Sequence, residues 1–247
     1  MKKQLKGEIK YGVTLDEEQK IAKAGAFDKD VTFLLGKFGS GKSLLATAIA
    51  IDMLFKKQVS KIYITRPIDF SATGFIPGDL SAKMRYHIYP LVQNFVALCG
   101  KEKVDKLLAE DAIEIIPIDY IKGYTICNAV LIIDEFEDIS YKEFEKILTR
   151  LGKDSKLIFT GSEEQTEAKD SCIKKIKLLV NCPLVNYHVL KAQHRNEAIQ
   201  GILDYIEESF SPKKVDKNTP ETVSGQKDAE KHLEDKVPIS ACLLYGE

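Results

Sequence analysis

Short runs of β-branched and aromatic residues alternate along this chain with longer stretches in which apolar residues recur every third or fourth position. Val31–Leu35 (VTFLL) reads as a buried strand, followed by a glycine-rich turn and a helical stretch over Lys42–Lys56. Lys61–Thr65 (KIYIT) is a second strand, and Asp79 to about Leu98 is helical by spacing, with a kink expected at Pro90. Ile113–Ile116 is a short strand, and Ala129–Asp134 (AVLIID) is a continuous apolar run of the kind buried on both faces of a sheet. Ser140 with Glu143 three residues on forms a capping box that opens a helix over 141–151. Lys156–Thr160 (KLIFT) and Leu184–Leu190 are further strands; 171–180 and Asn196 to about Ser209 are helices. Strand and helix in strict alternation predict an α/β fold, an open and mostly parallel sheet with helices on both faces.

After Phe210 the pattern stops. Residues 211–236 are polar and lack a sustained apolar period, so the chain divides into one domain over 1–210 and a polar, flexible C-terminal tail over 211–247. The last residues of that tail, VPISACLLYGE, are apolar again and either dock on the body or a partner or stay mobile. With 44% hydrophobic residues the remainder can build a sizeable core. Lys+Arg total 36 against 37 Asp+Glu, which excludes a broadly cationic nucleic-acid binder held by bulk charge. The N-terminus has lysines but no apolar stretch behind them, and no apolar run approaches the ~20 residues of a membrane span. Five scattered cysteines without a CxxC pair point to reduced thiols and not to a zinc site. A cytoplasmic protein without a membrane partner is expected.

Gly36-Lys37-Phe38-Gly39-Ser40-Gly41-Lys42-Ser43 fits G-x-x-x-x-G-K-[ST] between a strand and a helix. Glycines let backbone N–H groups curl around phosphates, and the helix N-terminus adds its dipole. Lys42 is placed to reach phosphate oxygens and Ser43 to ligate Mg²⁺, and Leu44 is counted with them among the nucleotide-binding positions. Asp134, delivered by the apolar strand, is the second Mg²⁺ candidate, and Glu135 is placed to polarise an attacking water. Thr160, Ser162 and Gln165 are candidates to sense the γ-phosphate, although a plain strand-to-loop transition fits that spacing equally.

Together these residues resemble the PhoH-like family of P-loop ATPases, whose core is similar to the motor domain of superfamily 1 helicases. The resemblance spans roughly 12–207 and rests on the P-loop, Thr65-Arg66-Pro67, Gly74-Phe75-Ile76-Pro77-Gly78-Asp79-Leu80, Tyr120-Ile121-Lys122-Gly123-Tyr124-Thr125, Asp134-Glu135, Leu148-Thr149-Arg150 and Thr160-Gly161 with Gln165. It implies a single RecA-like P-loop NTPase domain that binds ATP and Mg²⁺. It also implies adenine recognition by the Thr14–Gln19 segment, with Gln19 as the base contact. The chain departs from the family at Ser162, where Asp is usual. It departs again at Glu137, where the family's DEAQN-like run has glutamine, and at Tyr89, where arginine is usual. Only about thirty residues precede the first strand, so a preceding PIN-type nuclease domain is not expected, and RNase activity is not carried over.

Of 36 cations only four are arginine: Arg66, Arg85, Arg150 and Arg195. A guanidinium neutralises charge on a transferring phosphoryl group, which makes Arg195 the first candidate finger and Arg150 the second. Arg66, at a strand end, instead suits a nucleic-acid backbone, and Arg85 a surface ion pair. Helicases place ATP between two motor domains, and about 200 ordered residues allow one. The finger must then come from another subunit, which predicts a homo-oligomer closed into a ring, a hexamer being one candidate.

The leading function is hydrolysis of Mg·ATP to ADP and phosphate; the resemblance further implies coupling to single-stranded RNA or DNA, for which Arg66, Lys122 and the lysines of 174–177 are candidate phosphate contacts. The last segment reads more readily as an amphipathic helix with Ile173, Ile176 and Val180 inward. Two other classes stay open: a phosphotransferase acting on a small acceptor, and a nucleotide-gated interaction module with little turnover.

Overall fold

The computed structural model describes residues 12–67, 80–162 and 171–192 and the single positions 194, 198, 201, 202, 205 and 206; of residues 80–83 and 85 it describes the backbone alone. The chain separates into a unit ending at Gln200 and a second unit, Gly201–Glu247. The first unit runs α1 (Glu17–Asp28), β1 (Val31–Gly36), α2 (Lys42–Phe55), β2 (Lys61–Thr65), α3 (Leu80–Cys99), α4 (Lys101–Ala109), β3 (Ile113–Ile115), α5 (Ile118–Ile121), β4 (Ala129–Asp134), α6 (Tyr141–Leu148), β5 (Lys156–Gly161), α7 (Ile173–Ile176) and β6 (Val185–Leu190). The six strands form one sheet in the order β3-β2-β4-β5-β1-β6, and every pairing is parallel. It is an open parallel α/β sheet, as the strand–helix alternation predicts, with the G-x-x-x-x-G-K-S turn of a P-loop NTPase fold between β1 and α2.

Alternation along the central strands sends successive side chains to opposite faces, and both faces are covered. Leu34, Val130, Ile132 and Ile158 pack with Ile49, Met53, Ile88 and Phe95 of α2 and α3. Phe33, Leu131, Ile133 and Phe159 face the other way, against Phe136, Phe144 and Ile173. There Phe33 stacks on Phe159 with ring centroids 5.1 Å apart, and Phe136 meets Phe159 edge-on at 5.5 Å. All of β4 is buried, so a polar residue at its end can come from the strand only by leaving the sheet at its C-terminal edge.

Most expected boundaries hold within a residue or two. Pro90 lies inside α3, which continues to Cys99. The capping box at Ser140 forms, with the Glu143 N–H donating to Ser140 Oγ and the Ser140 N–H donating to the Glu143 carboxylate. The stretch 171–180 differs from the single helix expected. It is one α-turn followed by a 3₁₀ turn (Lys177–Leu179), with Ile173 and Ile176 buried but Val180 54% exposed. Spacing had placed Val180 on the buried face, and the tighter 3₁₀ pitch rotates it outward. Helices α1, α4 and α5 were not anticipated. α5 is only four residues long, too short for a periodicity to declare itself. α1 carries a weak apolar face built from alanines, Ala22 and Ala26.

Candidate functional site

At the C-terminal edge of the sheet, β1 ends at Gly36 and the chain turns through residues 37–41 into α2. Gly41, the N-cap of α2, has φ 78°, and a Cβ there would also strike the Gln19 amide, so both backbone and space call for glycine. Lys42 Nζ donates to the carbonyls of Gly36 at 2.7 Å and Lys37 at 2.9 Å, folding the lysine back over its own loop. Gly39, Gly41, Ser43, Leu44 and the half-exposed Phe38 line a cleft of about 250 Å³ with Lys42. Across it stand Asp134, Glu135, Glu137, Thr160 and Gly161, with Asn94 of α3 closing one side.

The end of β4 brings the acidic groups in, and the neighbouring strand β5 brings a hydroxyl to one of them. Asp134 pairs with Thr160 in register, and Thr160 Oγ1 donates to Asp134 Oδ1 at 2.5 Å. Ser43 Oγ, from the first turn of α2, donates to the same oxygen at 2.8 Å. Ser43 and Asp134 thus form an oxygen-only donor pair beside the phosphate loop, a set that fits a hard cation such as Mg²⁺. Glu135 follows at φ 53°, ψ 47°, a left-handed conformation that costs an L-residue about 1–2 kcal/mol. Its carboxylate forms an ion pair with Arg66, which leaves the end of the adjacent strand β2 and also donates to the His87 carbonyl at 3.3 Å. Arg66 was expected to face a nucleic-acid backbone; here its guanidinium is engaged by Glu135.

Glu137 lies in the 3₁₀ turn Phe136–Asp138 and is 2% exposed. One oxygen accepts the Ser162 N–H at 3.1 Å, and the other has no partner among the described residues. Burial pushes its carboxyl up to about 7. The sequence marked this position only as a lost glutamine, because nothing in the motif announces a buried, unsatisfied carboxyl.

Gln19 sits beneath the loop and is 3% exposed. Its Oε1 accepts the Asp16 N–H at 3.2 Å, completing the capping box of α1, while Nε2 donates to the Ser40 carbonyl at 3.4 Å. One end of the amide thus caps α1 and the other braces the P-loop. His194 joins this brace: its N–H donates to the Gly39 carbonyl at 3.0 Å, and its ring lies 3.3 Å from Gln19 Nε2 and 3.1 Å from Asp16 Oδ2. Sequence reasoning missed His194, whose partners are about 150 residues or more away along the chain.

The remaining candidates are dispersed. The Arg150 carbonyl accepts the Ile126 N–H, three residues before β4 begins, so Arg150 lies at the opposite edge of the sheet from its own P-loop. Its guanidinium donates to Thr149 Oγ1 at 3.0 Å. Lys122 is held by Asp119 at 2.7 Å and Glu143 at 2.8 Å, which raises its ammonium pKa and lowers that of the Glu143 carboxyl. Gln165, Arg195 and the Gly74–Leu80 motif up to Asp79 lie outside the described residues, as does the side chain of Arg85. Among the described residues no helix is long and apolar enough to cross a membrane.

The chain is similar to several known proteins. A PhoH-like protein of Synechocystis is 35% identical over 165 residues, covering 66% of this chain and 49% of the relative. One of Bacillus subtilis is 34% identical over 140 residues, covering 56% and 44%. Protein PhoH of Escherichia coli K12 is 32% identical over 143 residues, covering 56% and 40%. The matched region therefore spans half or less of these relatives. Among solved structures, Pif1 helicase from Candida albicans aligns over 79% of this chain and 44% of its own, at 17% identity and a TM-score of 0.44. The large terminase of a thermophilic bacteriophage aligns over 71% and 44%, at 10% identity and a TM-score of 0.47. The PhoH-like protein family model matches residues 13–207, and the chain belongs to that family.

Proposed function

We propose that the chain binds Mg·ATP in the cleft above β1 and β4 and hydrolyses it to ADP and phosphate. The observation that carries this reading is the convergence of the Ser43 and Thr160 hydroxyls on one oxygen of Asp134, beside Lys42 and its loop. Ser43 and Asp134 would hold the metal, which when bound neutralises phosphate charge and polarises phosphoryl oxygens. The P-loop N–H groups and Lys42 hold the phosphates. Lys42 exchanges its two loop carbonyls for phosphate oxygens as nucleotide enters. Glu135 orients and deprotonates the attacking water once its carboxylate is free of Arg66. Gln19 and His194 act beneath the loop, keeping its carbonyls turned away from the phosphates.

Phosphate release from ATP alone tests this reading. Wild type should release phosphate without an acceptor, Glu135→Gln should keep nucleotide but turn over at least about 100-fold more slowly, and Lys42→Ala should lose nucleotide. Dependence on an added acceptor would instead identify a phosphotransferase. The Arg66–Glu135 pair favours a second reading, a nucleotide-gated module with little turnover in isolation; it requires nucleotide binding by wild type with no phosphate release.

As partner we propose single-stranded RNA or DNA. Exposed Tyr120 and Tyr124, with Tyr63 and Pro117, surround a second cavity of about 240 Å³, and tyrosine faces are stacking platforms for unpaired bases. We further propose a cytoplasmic ATPase unit over 1–210 with a polar tail over 211–247. This unit works as a ring in which Arg195 or Arg150 of one subunit completes the site of the next. The position of Arg150 at the far edge of the sheet suits a contribution in trans.

A further inference from the structure

Glu137 is the one acidic group lining the cleft that the ATPase scheme leaves without a task. Its Oε1 is committed to the Ser162 N–H, and its Oε2 is buried with no partner among the described residues. A buried carboxylate oxygen with nothing donating to it is costly, and the cost falls away if that oxygen carries a proton and donates. Room for the group is built in: a Cβ at Gly161 would strike Oε2 itself. A glutamine side chain in this place would pair a carbonyl acceptor with an N–H donor. A carboxylic acid reproduces that pattern only in its neutral form.

We propose that Glu137 reads the terminal phosphate of the bound triphosphate as a neutral acid, Oε1 accepting from Ser162 and protonated Oε2 donating to a phosphoryl oxygen. The proposal rests on the nucleotide-binding reading above and assigns the same site a group that separates triphosphate from diphosphate. Among the described residues the charges facing Glu137 are Lys42 from the P-loop, Asp134 and Glu135 from the end of β4, and Asp138 within its own turn. Behind it the Cys172 thiol is pushed up to about 12 by burial and is neutral. Of these charges Lys42 alone favours the carboxylate, and in the complex it is drawn to phosphate. The approaching phosphate adds negative charge, which favours the neutral acid further. Rising pH must therefore remove the donor and set a carboxylate against the phosphate.

The test is equilibrium binding of a non-hydrolysable Mg·ATP analogue and of Mg·ADP from pH 6 to 9, by wild type, Glu137→Gln and Glu137→Ala. Wild type should lose about tenfold or more in triphosphate affinity across this range relative to Glu137→Gln, with ADP binding parallel in the two proteins. Referring wild type to Glu137→Gln cancels titration of the nucleotide itself. Glu137→Gln should hold, at every pH, the preference for triphosphate that wild type has at its acid end. Glu137→Ala should lose that preference at every pH. Parallel pH profiles for wild type and Glu137→Gln, or a weakened triphosphate preference in Glu137→Gln at pH 6, overturn the proposal. Failure of wild type to bind either nucleotide overturns the ATP reading instead, so the two are told apart.

Discussion

The guanidinium of Arg66 holds the carboxylate of Glu135, joining the ends of β2 and β4 directly above the nucleotide cleft. Two motifs that look independent in the sequence, Thr65-Arg66-Pro67 and Asp134-Glu135, therefore meet in one ion pair. A carboxylate whose lone pairs are taken by a guanidinium is a weaker base. A polyanion that draws Arg66 away would release it.

Arg66→Ala is accordingly expected to raise phosphate release measured without nucleic acid by about three- to tenfold, and to abolish any stimulation by single-stranded oligonucleotide. The rise corresponds to roughly 1 kcal/mol for a partly exposed pair. A fall in basal turnover would show that Arg66 orients the base and does not restrain it.

Thr160 and Ser43 together fix Asp134 Oδ1. Thr160 is fully buried, so Thr160→Val preserves shape and deletes one hydrogen bond to a charged group, about 1.5–3 kcal/mol. The Mg²⁺ concentration for half-maximal turnover should rise at least about tenfold, with turnover recovered at high Mg²⁺. Titration of turnover against Mg²⁺ checks this; an unchanged midpoint with reduced maximum would place Thr160 on the phosphate and not on the metal's ligand.

Glu137 also writes a pH dependence into stability. Its folded pKa, about 7, lies above the unfolded carboxyl value, so the native state binds the proton more tightly. Its contribution is then most favourable below the unfolded pKa near 4.5, is lost as pH rises from there to about 7, and is flat above. Glu137→Gln should be more stable than wild type above pH 7, by at most about 3 kcal/mol, and the difference should vanish toward pH 4.5. Urea unfolding at pH 5 and pH 8 measures it. Equal increments at both pH values would show that the effect is not ionic.

A finger supplied in trans makes turnover depend on assembly. Arg195→Lys and Arg150→Lys keep the charge but lose the fork that spans two phosphate oxygens. The residue acting as finger should lose turnover at least about 100-fold as lysine, with nucleotide binding intact. Mixing it with Glu135→Gln, itself inactive, should restore phosphate release in mixed assemblies, since some interfaces then pair an intact base with an intact finger. No recovery on mixing, together with full specific activity at dilutions where the protein is monomeric, would exclude the ring.

The strands and the phosphate loop were legible in the sequence because both depend on local rules. A two-faced buried strand must be a continuous apolar run, as in Ala129–Asp134, and a loop whose N–H groups turn inward must place glycine where φ is positive, as at Gly41. For the same reason Lys42, Ser43, Asp134 and Glu135 could be named as a group before any fold was known. What only the tertiary structure decided is how side chains far apart in the chain occupy one another. Arg66 is tied to Glu135, Gln19 is spent on Asp16 and Ser40, His194 is laid on Gly39, and one oxygen of Glu137 is left without a donor among the described residues. Hydrogen-bond satisfaction and burial are properties of packed neighbours, set by which strands lie side by side in the sheet, and a motif carries no record of them.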